Sequence, residues 1–209
     1  MTYKLLIEKL RRSEKKIITR EEIIKDCKNL KIKYEYAIGY LLKHDYLVKI
    51  LRGIFYAKDI EEREYEKIKI SYKEALARAL LIKGVKTWYF GLESAIKLNN
   101  LTHEHIARET IISDKIFRSK PLTIFGHSIR FIKAKEELFL FGIKKEPFPY
   151  SDIEKTILDT IYFDKYNGRR NPEIKNKIVE YTEHTSKEKL LKYSKHYPKS
   201  VQILISEII

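Results

Sequence analysis

The sequence predicts an α+β fold in two domains, residues 1–60 and residues 61–209. Apolar residues recur at helical spacing in three early segments, and two short β-prone runs follow directly. A highly charged stretch with little periodicity, residues 58–71, then precedes a second series of helices and strands. Because each side of this stretch has apolar stripes of its own, we expect two domains with separate cores.

Three helices are predicted before the first strands. The first covers residues 3–12, and the Thr19 to Glu22 capping-box spacing starts the second at Arg20. The third runs from about Lys33 to His44. At 100° per residue its buried side is predicted to hold Tyr34, Ala37, Ile38, Leu41 and Leu42.

The opposite side of the third helix is predicted to be an exposed face with the composition of a nucleic-acid surface. Its residues are Lys33, Tyr36, Tyr40 and Lys43. Ammonium groups suit phosphates, and phenols suit phosphates or base edges. The alternative is a solvated helix face with amphipathic tyrosines.

A cationic hairpin is predicted directly after the third helix. The runs 47–51 and 54–57 flank Arg52-Gly53, and Gly53 can adopt the positive φ of a tight turn. Three helices followed by a hairpin is the order of a winged helix-turn-helix. The third helix would then enter the major groove, and the hairpin would be the wing. The wing residues predicted to contact the backbone or minor groove are Lys49, Arg52 and Lys58.

The charge balance favours a nucleic-acid partner. The chain carries 43 Lys and Arg against 29 Asp and Glu, a net of +14. Residues 1–60 carry 15 against 8, so half of the surplus lies in less than a third of the chain. The alternative source of the charge is a Lys-rich, AT-biased or heat-adapted proteome, which the 31 Ile and single Gln also fit.

Several classes of protein are disfavoured. Cys27 is the only cysteine, so neither an intramolecular disulfide nor a Cys-based metal site is expected. No apolar run approaches the ~18 residues of a membrane helix. The N-terminus lacks a secretory signal pattern, and we expect a cytoplasmic protein without cofactors.

The second domain is predicted to combine a mostly antiparallel sheet with a helical C-terminal tail. Its expected elements are a helix from Ser71 to Gly84, strands at 88–90 and 109–113, a helix after Gly91, a hairpin over 122–134, a helix capped at Ser151, a helix from Asn171, and helices over 186–195 and 198–208.

Catalytic patterns are weak. His103-Glu104-His105 is expected to be a polar loop, because i,i+2 histidines do not share a helix face. A metal-dependent nuclease built on Asp152, Glu154, Lys155 and Asp159 is the less favoured alternative. Asp159 is expected to face solvent or to make a local hydrogen bond. We therefore expect no enzymatic activity.

Basic residues are frequent in the strands and loops of the second domain. They are expected either to form a surface for an acidic partner or to be ordinary solvated side chains. These residues are Arg108, Lys115, Arg118, Lys120, Arg130, Lys133 and Lys135.

Four segments follow one another along the chain: "YLVKILRGIFYAKD", "YFGLESAIKLNNLT", "RETIISDKIFRSKPLTIFGHSIRFIKAKEELFLFG" and "YSDIEKTILDTIYF". In this order they resemble the AbiEi-type family of type IV antitoxins and transcriptional regulators from abortive-infection systems. The resemblance covers roughly residues 1 to 163.

The resemblance implies a protein that binds double-stranded DNA, with inverted repeats as its operator, and represses its own operon. It also implies a second domain that counteracts a nucleotidyltransferase-type toxin, without a need for direct contact. Two alternatives stay open. One is a stand-alone winged-helix transcription factor whose second domain senses a ligand or dimerises, and the other is a nucleic-acid-processing enzyme.

Overall fold

The computed structural model describes residues 2–13, 15–104 and 106–209. The chain forms two compact units. The first is Met1–Gly84 with Thr123–His127, and the second is Val85–Leu122 with Ser128–Ile209. Residues 61–84, which the sequence analysis assigns to the second domain, therefore lie in the first unit.

The first unit combines helices with a three-stranded antiparallel sheet. Its elements are α1 (Thr2–Arg12), β1 (Ile17–Thr19), α2 (Arg20–Asn29), α3 (Tyr34–Lys43), β2 (Leu47–Leu51), β3 (Ile54–Ala57), α4 (Ile60–Glu64) and α5 (Tyr72–Ile82). The strand order is β1-β3-β2. The three predicted helices and both hairpin strands are thus present, and β1 is an addition that the sequence analysis missed.

Local sequence signals explain the start of α2. Thr19 is its N-cap, and the Thr19 side chain and Glu22 form a reciprocal capping box. Behind α2 lies the core of the unit, in which Cys27 is a buried free thiol. The buried members of this core are Leu6, Ile7, Leu10, Ile18, Ile23, Cys27, Ala37, Leu41, Leu47, Phe55 and Ala57.

The charged stretch after β3 is hydrogen-bonded to that strand. Asp59 and Glu62 form a second capping box, which starts α4. Glu62 is only 1% exposed, and its carboxylate accepts hydrogen bonds from the Tyr56 hydroxyl at 2.6 Å and the Lys69 amide at 2.7 Å. A buried carboxylate with these partners holds α4 and the following residues against β3.

The second unit is built on strands followed by helices. Its elements are β4 (Trp88–Phe90), α6 (Glu93–Leu98), β5 (Glu109–Ser113), β6 (Leu122–Ile124), β7 (His127–Lys133), a 3-10 helix (Glu136–Phe139), β8 (Ile143–Lys144), β9 (Tyr150–Ser151), α7 (Ile153–Tyr166), α8 (Asn171–Thr182), α9 (Lys187–Ser194) and α10 (Lys199–Ser206). The tip of the β6–β7 hairpin, 123–127, belongs to the first unit.

The larger sheet is mixed, which corrects the prediction of a mostly antiparallel sheet. Its order is β6-β7-β5-β4-β9-β8. The pairs β4–β5 and β8–β9 are antiparallel, whereas β5–β7 and β4–β9 are parallel. The chain passes from β5 to β6 at the edge of the sheet and then returns as β7 between them. Strand β7 therefore runs in the same direction as β5.

Helix α7 lies at the centre of the helical layer. Helices α8, α9 and α10 all pack on α7, which confirms the α+β class and the helical C-terminal region. Ile157, Leu158 and Ile161 of α7 are buried in the core with residues of β4, β5 and all three following helices. Among the described residues, no helix is long and apolar enough to cross a membrane.

Candidate nucleic-acid interface

The exposed face of α3 is rotated from the one predicted. Ala37 and Leu41 are fully buried, and the residues on the opposite side are exposed. Gly39 lies at the centre of this exposed side. At 100° per residue the true face, centred on Gly39, is turned by about 80° from the predicted one. The exposed residues around Gly39 are Glu35, Tyr36, Leu42 and Lys43.

The rotation changes the positions of two side chains. Tyr40 is half-buried, because its ring stacks on Tyr3 of α1 with centroids 4.6 Å apart. Its ring also lies 6.3 Å from the ring of Tyr46. Leu42, expected in the core, is 38% exposed. By contrast, Tyr36 is 67% exposed, and Lys33 and Lys43 are also exposed, as predicted.

The hairpin turn has the predicted residues and places Arg52 in solvent. Leu51 and Ile54 pair across Arg52-Gly53, and Gly53 has φ 77°. Lys49 is exposed on β2. Lys58 is placed differently, because its side chain is only 9% exposed and forms an ion pair with Asp45. Lys58 therefore contributes to the local structure more than to an open surface.

Arg20 is a cation that the sequence analysis missed. Its amide donates a hydrogen bond to the Gly53 carbonyl at 2.8 Å, which ties the start of α2 to the turn. Its guanidinium lies 5.3 Å from the centroid of the Tyr34 ring, at the start of α3. Burial raises the pKa of Tyr34. The signal available in the sequence is a basic residue in a first helical turn, where the helix dipole favours acids.

The structure therefore brings three parts of the first unit together: the Arg52-Gly53 turn, Arg20, and the start of α3 beside Lys33. Lys43 lies at the other end of α3. We use the name α3–turn surface for two groups of exposed residues: Arg20, Lys33 and Arg52 around the turn and the start of α3, and Tyr36, Gly39 and Lys43 along the exposed side of α3. Its exposed ammonium and guanidinium groups can bind phosphates, and its phenol and Arg side chains can contact base edges.

Two of the predicted basic residues of the second unit meet at a cleft. Arg108 and Arg130 both line an open cleft of about 360 Å³, with Glu93, Glu104 and Tyr181. Arg130 is brought there by the parallel β5–β7 pairing, in which it is the partner of Thr110. The cleft thus combines two guanidinium groups with two carboxylates and a phenol.

The other predicted cations of this unit do not line that cleft. Lys115, Arg118 and Lys120 lie in the exposed loop between β5 and β6, beside Phe117, which is 67% exposed. Lys133 is exposed at the end of β7, and Lys135 precedes the 3-10 helix. The loop therefore presents an apolar ring among basic side chains.

A buried polar cluster on α7 was not predicted. Lys155 and Asp159 are both fully buried, with Nζ and Oδ1 3.4 Å apart. The Tyr89 hydroxyl donates to Asp159 at 2.8 Å, and the Tyr197 hydroxyl donates at 2.7 Å. Asp159 therefore does not face solvent, although it does accept a local hydrogen bond, from Lys155 four positions earlier. Its two shorter hydrogen bonds come from β4 and from the α9–α10 connection, far away in sequence.

Burial and the neighbouring rings define the environment of Lys155. Its Nζ lies 4.5 Å from the centroid of the Phe141 ring and 4.9 Å from that of Tyr89. Burial lowers the pKa of Lys155, although the charge of Asp159 opposes this effect. Gly142, at φ 63°, makes room for the group, because a Cβ there would lie 2.8 Å from the Lys155 Cβ.

The first turn of α7 carries a second set of ion pairs. Asp152, rather than Ser151, is the N-cap, and it accepts from the Lys155 amide at 2.9 Å. Lys189 of α9 lies 2.9 Å from Asp152 and 2.8 Å from Glu154. Burial acts to raise the pKa of Glu154, but hydrogen bonds from Lys189 and the Ser186 amide leave it below the ordinary value.

Asp152 and Glu154 therefore hold α9 to α7. Of the other proposed metal ligands, His103 and Glu104 are exposed, and His105 lies outside the described residues. Within the described part of the chain, no group of three His, Cys, Asp or Glu residues has a metal-binding arrangement.

Comparison with known proteins gives a likeness of fold. No protein-family model matches the chain, and no curated protein matches its sequence. The chain is similar to the crystal structure of the RV2827C protein from Mycobacterium tuberculosis, with a TM-score of 0.61 and 13% sequence identity. The likeness covers 99% of this chain and 75% of that one, so the described fold has a counterpart among solved structures.

Proposed function

We propose that this protein is a DNA-binding transcriptional regulator of the AbiEi-like type IV antitoxin kind. In this proposal its first unit is a winged helix-turn-helix that binds double-stranded DNA at inverted repeats. Helix α3 enters the major groove, and the Arg52-Gly53 turn is the tip of the wing. The protein represses its own operon, and its second unit counteracts a nucleotidyltransferase-type toxin.

The observation that carries the DNA-binding part is the α3–turn surface. The hydrogen bond from the Arg20 amide to Gly53 fixes the turn beside the start of α2, and the Arg20 guanidinium lies over the ring of Tyr34 at the start of α3. Arg20 thus links the cationic turn to α3, whose other side is exposed to solvent. This arrangement, in a segment of net charge +7, supports simultaneous contact with a groove and the adjacent phosphates.

A binding assay tests this part. The full chain is titrated into labelled duplex from the region upstream of its own gene, with random duplex of equal length as control. The proposal predicts tighter binding to the upstream duplex and weaker binding to both duplexes as salt rises. Absence of binding to either duplex would contradict it.

The antitoxin part depends on the sequence resemblance, and a growth assay tests it. The full chain is co-expressed with a nucleotidyltransferase encoded in its own operon, under a promoter that the chain does not control. Restored growth supports a protective role separate from repression. Unrelieved toxicity in cells that contain folded protein would contradict that role.

The cleft beside Arg108 and Arg130 favours a second candidate function, a stand-alone transcription factor that senses a ligand. Its size is within the usual range for small-molecule sites, and two guanidinium groups suit a carboxylate or phosphate group. A thermal-shift screen with small carboxylates and phosphate esters tests this function. A shift that Arg130→Ala abolishes would support it, and no shift with any compound would count against it.

The nuclease alternative has less support. Asp159 is enclosed by two tyrosine hydroxyls and Lys155, and Asp152 and Glu154 are paired with Lys189. Carboxylates engaged in this way are positioned to hold helices together.

A further inference from the structure

Gly39 is an unusual residue for its position. It lies in the middle of α3, and Gly is the least favourable helix-interior residue apart from Pro. Two ordinary reasons for a helical glycine are absent. Its φ is not in the left-handed region, and a Cβ built there would meet nothing within 4 Å. The fold of the first unit therefore does not require a glycine here.

The neighbours of Gly39 form an open patch. Residues three and four positions away share its face of the helix. All four such residues within α3 are exposed: Glu35, Tyr36, Leu42 and Lys43. Because Gly39 has no side chain, the backbone of α3 is accessible between them. The exposed backbone at Gly39 is thus bordered by a phenol, a carboxylate, an ammonium group and an aliphatic side chain.

We propose that Gly39 is the point of closest approach between α3 and DNA, where the absence of a side chain lets the helix enter the groove deeply. This inference rests on the proposed DNA-binding function. The chemistry of the rim suits base edges: Glu35 can accept from the amino group of cytosine, and Lys43 can donate to guanine or to phosphate. Charge favours DNA as the occupant, since residues 1–60 carry a net of +7.

The expected effect of adding one methyl group is specific. Gly39→Ala has room in the free protein and improves helix propensity, so its melting temperature should equal or exceed that of the unchanged protein. In the complex the methyl group holds the helix away from the base edges. Affinity for the upstream duplex should fall by about ten-fold, the scale of one lost base contact, and binding to random duplex should change less.

The experiment compares the full chain with Gly39→Ala by circular-dichroism melting and by anisotropy titrations with upstream and random duplex. Asn176→Ala, at an exposed position within α8, is the matched control and should bind like the unchanged protein. Reduced upstream binding with an unreduced melting temperature supports the inference.

Three outcomes would overturn the inference. Equal upstream binding by Gly39→Ala and the unchanged chain would refute the close approach while the proposed function survives. A lower melting temperature for Gly39→Ala would contradict the open space around this residue. Failure of the unchanged chain to bind the upstream duplex would refute the proposed function and this inference with it.

Discussion

Replacement of Asp159 should strongly destabilise the second unit. Asp159→Ala removes the acceptor of the Tyr89 and Tyr197 hydroxyls and takes the paired carboxylate away from the buried ammonium group of Lys155. Removing one partner of a buried ion pair costs about 3–5 kcal/mol, and each unsatisfied buried phenol costs about 1–3 kcal/mol. These contributions belong to one network and do not add fully. We expect a loss of about 4 kcal/mol or more, a large part of the ~5–15 kcal/mol typical of a domain.

Urea unfolding followed by tryptophan fluorescence measures this loss. Trp88 is the single tryptophan, lies in β4 next to Tyr89 and is 9% exposed, so it reports on the second unit. For a urea dependence of about 2 kcal/mol per molar, the expected loss lowers the midpoint by roughly 2 M. Glu183→Ala, at an exposed carboxylate, is the control and should leave the midpoint unchanged.

A second substitution separates the charge from the hydrogen bonds. Lys155→Met in the Asp159→Ala background removes the unpaired ammonium group and should recover part of the lost stability. The reasoning is refuted if Asp159→Ala lowers stability by less than about 1 kcal/mol, the size of an ordinary surface hydrogen bond. It is also refuted if the double variant is less stable than Asp159→Ala alone.

Three further predictions concern the DNA surface and the acid sensitivity of the fold. Arg52→Ala should weaken binding to all duplexes by about five- to thirty-fold. Titrations at several salt concentrations should also show that the slope of log affinity against log salt concentration becomes shallower by about one unit. An unchanged slope would show that Arg52 does not contact DNA. Tyr36→Ala should weaken binding to the upstream duplex more than to random duplex, without lowering the melting temperature. Tyr40→Ala should lower the melting temperature because it removes the stack on Tyr3. Equal melting temperatures for the two variants would contradict this distinction. The lowered pKa of Glu154 stabilises the fold above the ordinary carboxyl pKa of about 4.3, and this contribution is lost as the pH falls through the lower folded-state value. Glu154→Gln should therefore be less stable at neutral pH and lose less stability between about pH 5 and pH 3, and identical pH profiles in urea unfolding would show that the ion pair does not act in this way.

Elements set by local signals could be predicted from the sequence. The capping box at Thr19 and Glu22 gave the start of α2, and Arg52-Gly53 gave the hairpin turn with both strand bounds. In these cases the determining residues lie within a few positions of one another. Periodicity also gave the buried Ala37 and Leu41 of α3.

Features set by distant contacts could not be predicted. Tyr40 stacks on Tyr3 of α1, and periodicity within α3 alone placed Tyr40 on the exposed side. Asp159 reads as a surface residue because its partners, Tyr89 and Tyr197, are 70 and 38 positions away. The parallel β5–β7 pairing likewise requires β6 to occupy the sheet edge, which no local pattern encodes.

The salt dependence of binding to the upstream duplex tests the central claim most directly. The full chain is titrated into upstream and random duplex at salt concentrations from about 50 to 200 mM. If the α3–turn surface binds DNA as proposed, the logarithm of the affinity for each duplex falls linearly with the logarithm of the salt concentration. The slope should correspond to several phosphate contacts, and the upstream duplex should bind more tightly than random duplex at every salt concentration. Equal affinity for the two duplexes at every salt concentration, or no binding at 50 mM, would contradict the claim that this protein is a sequence-specific regulator.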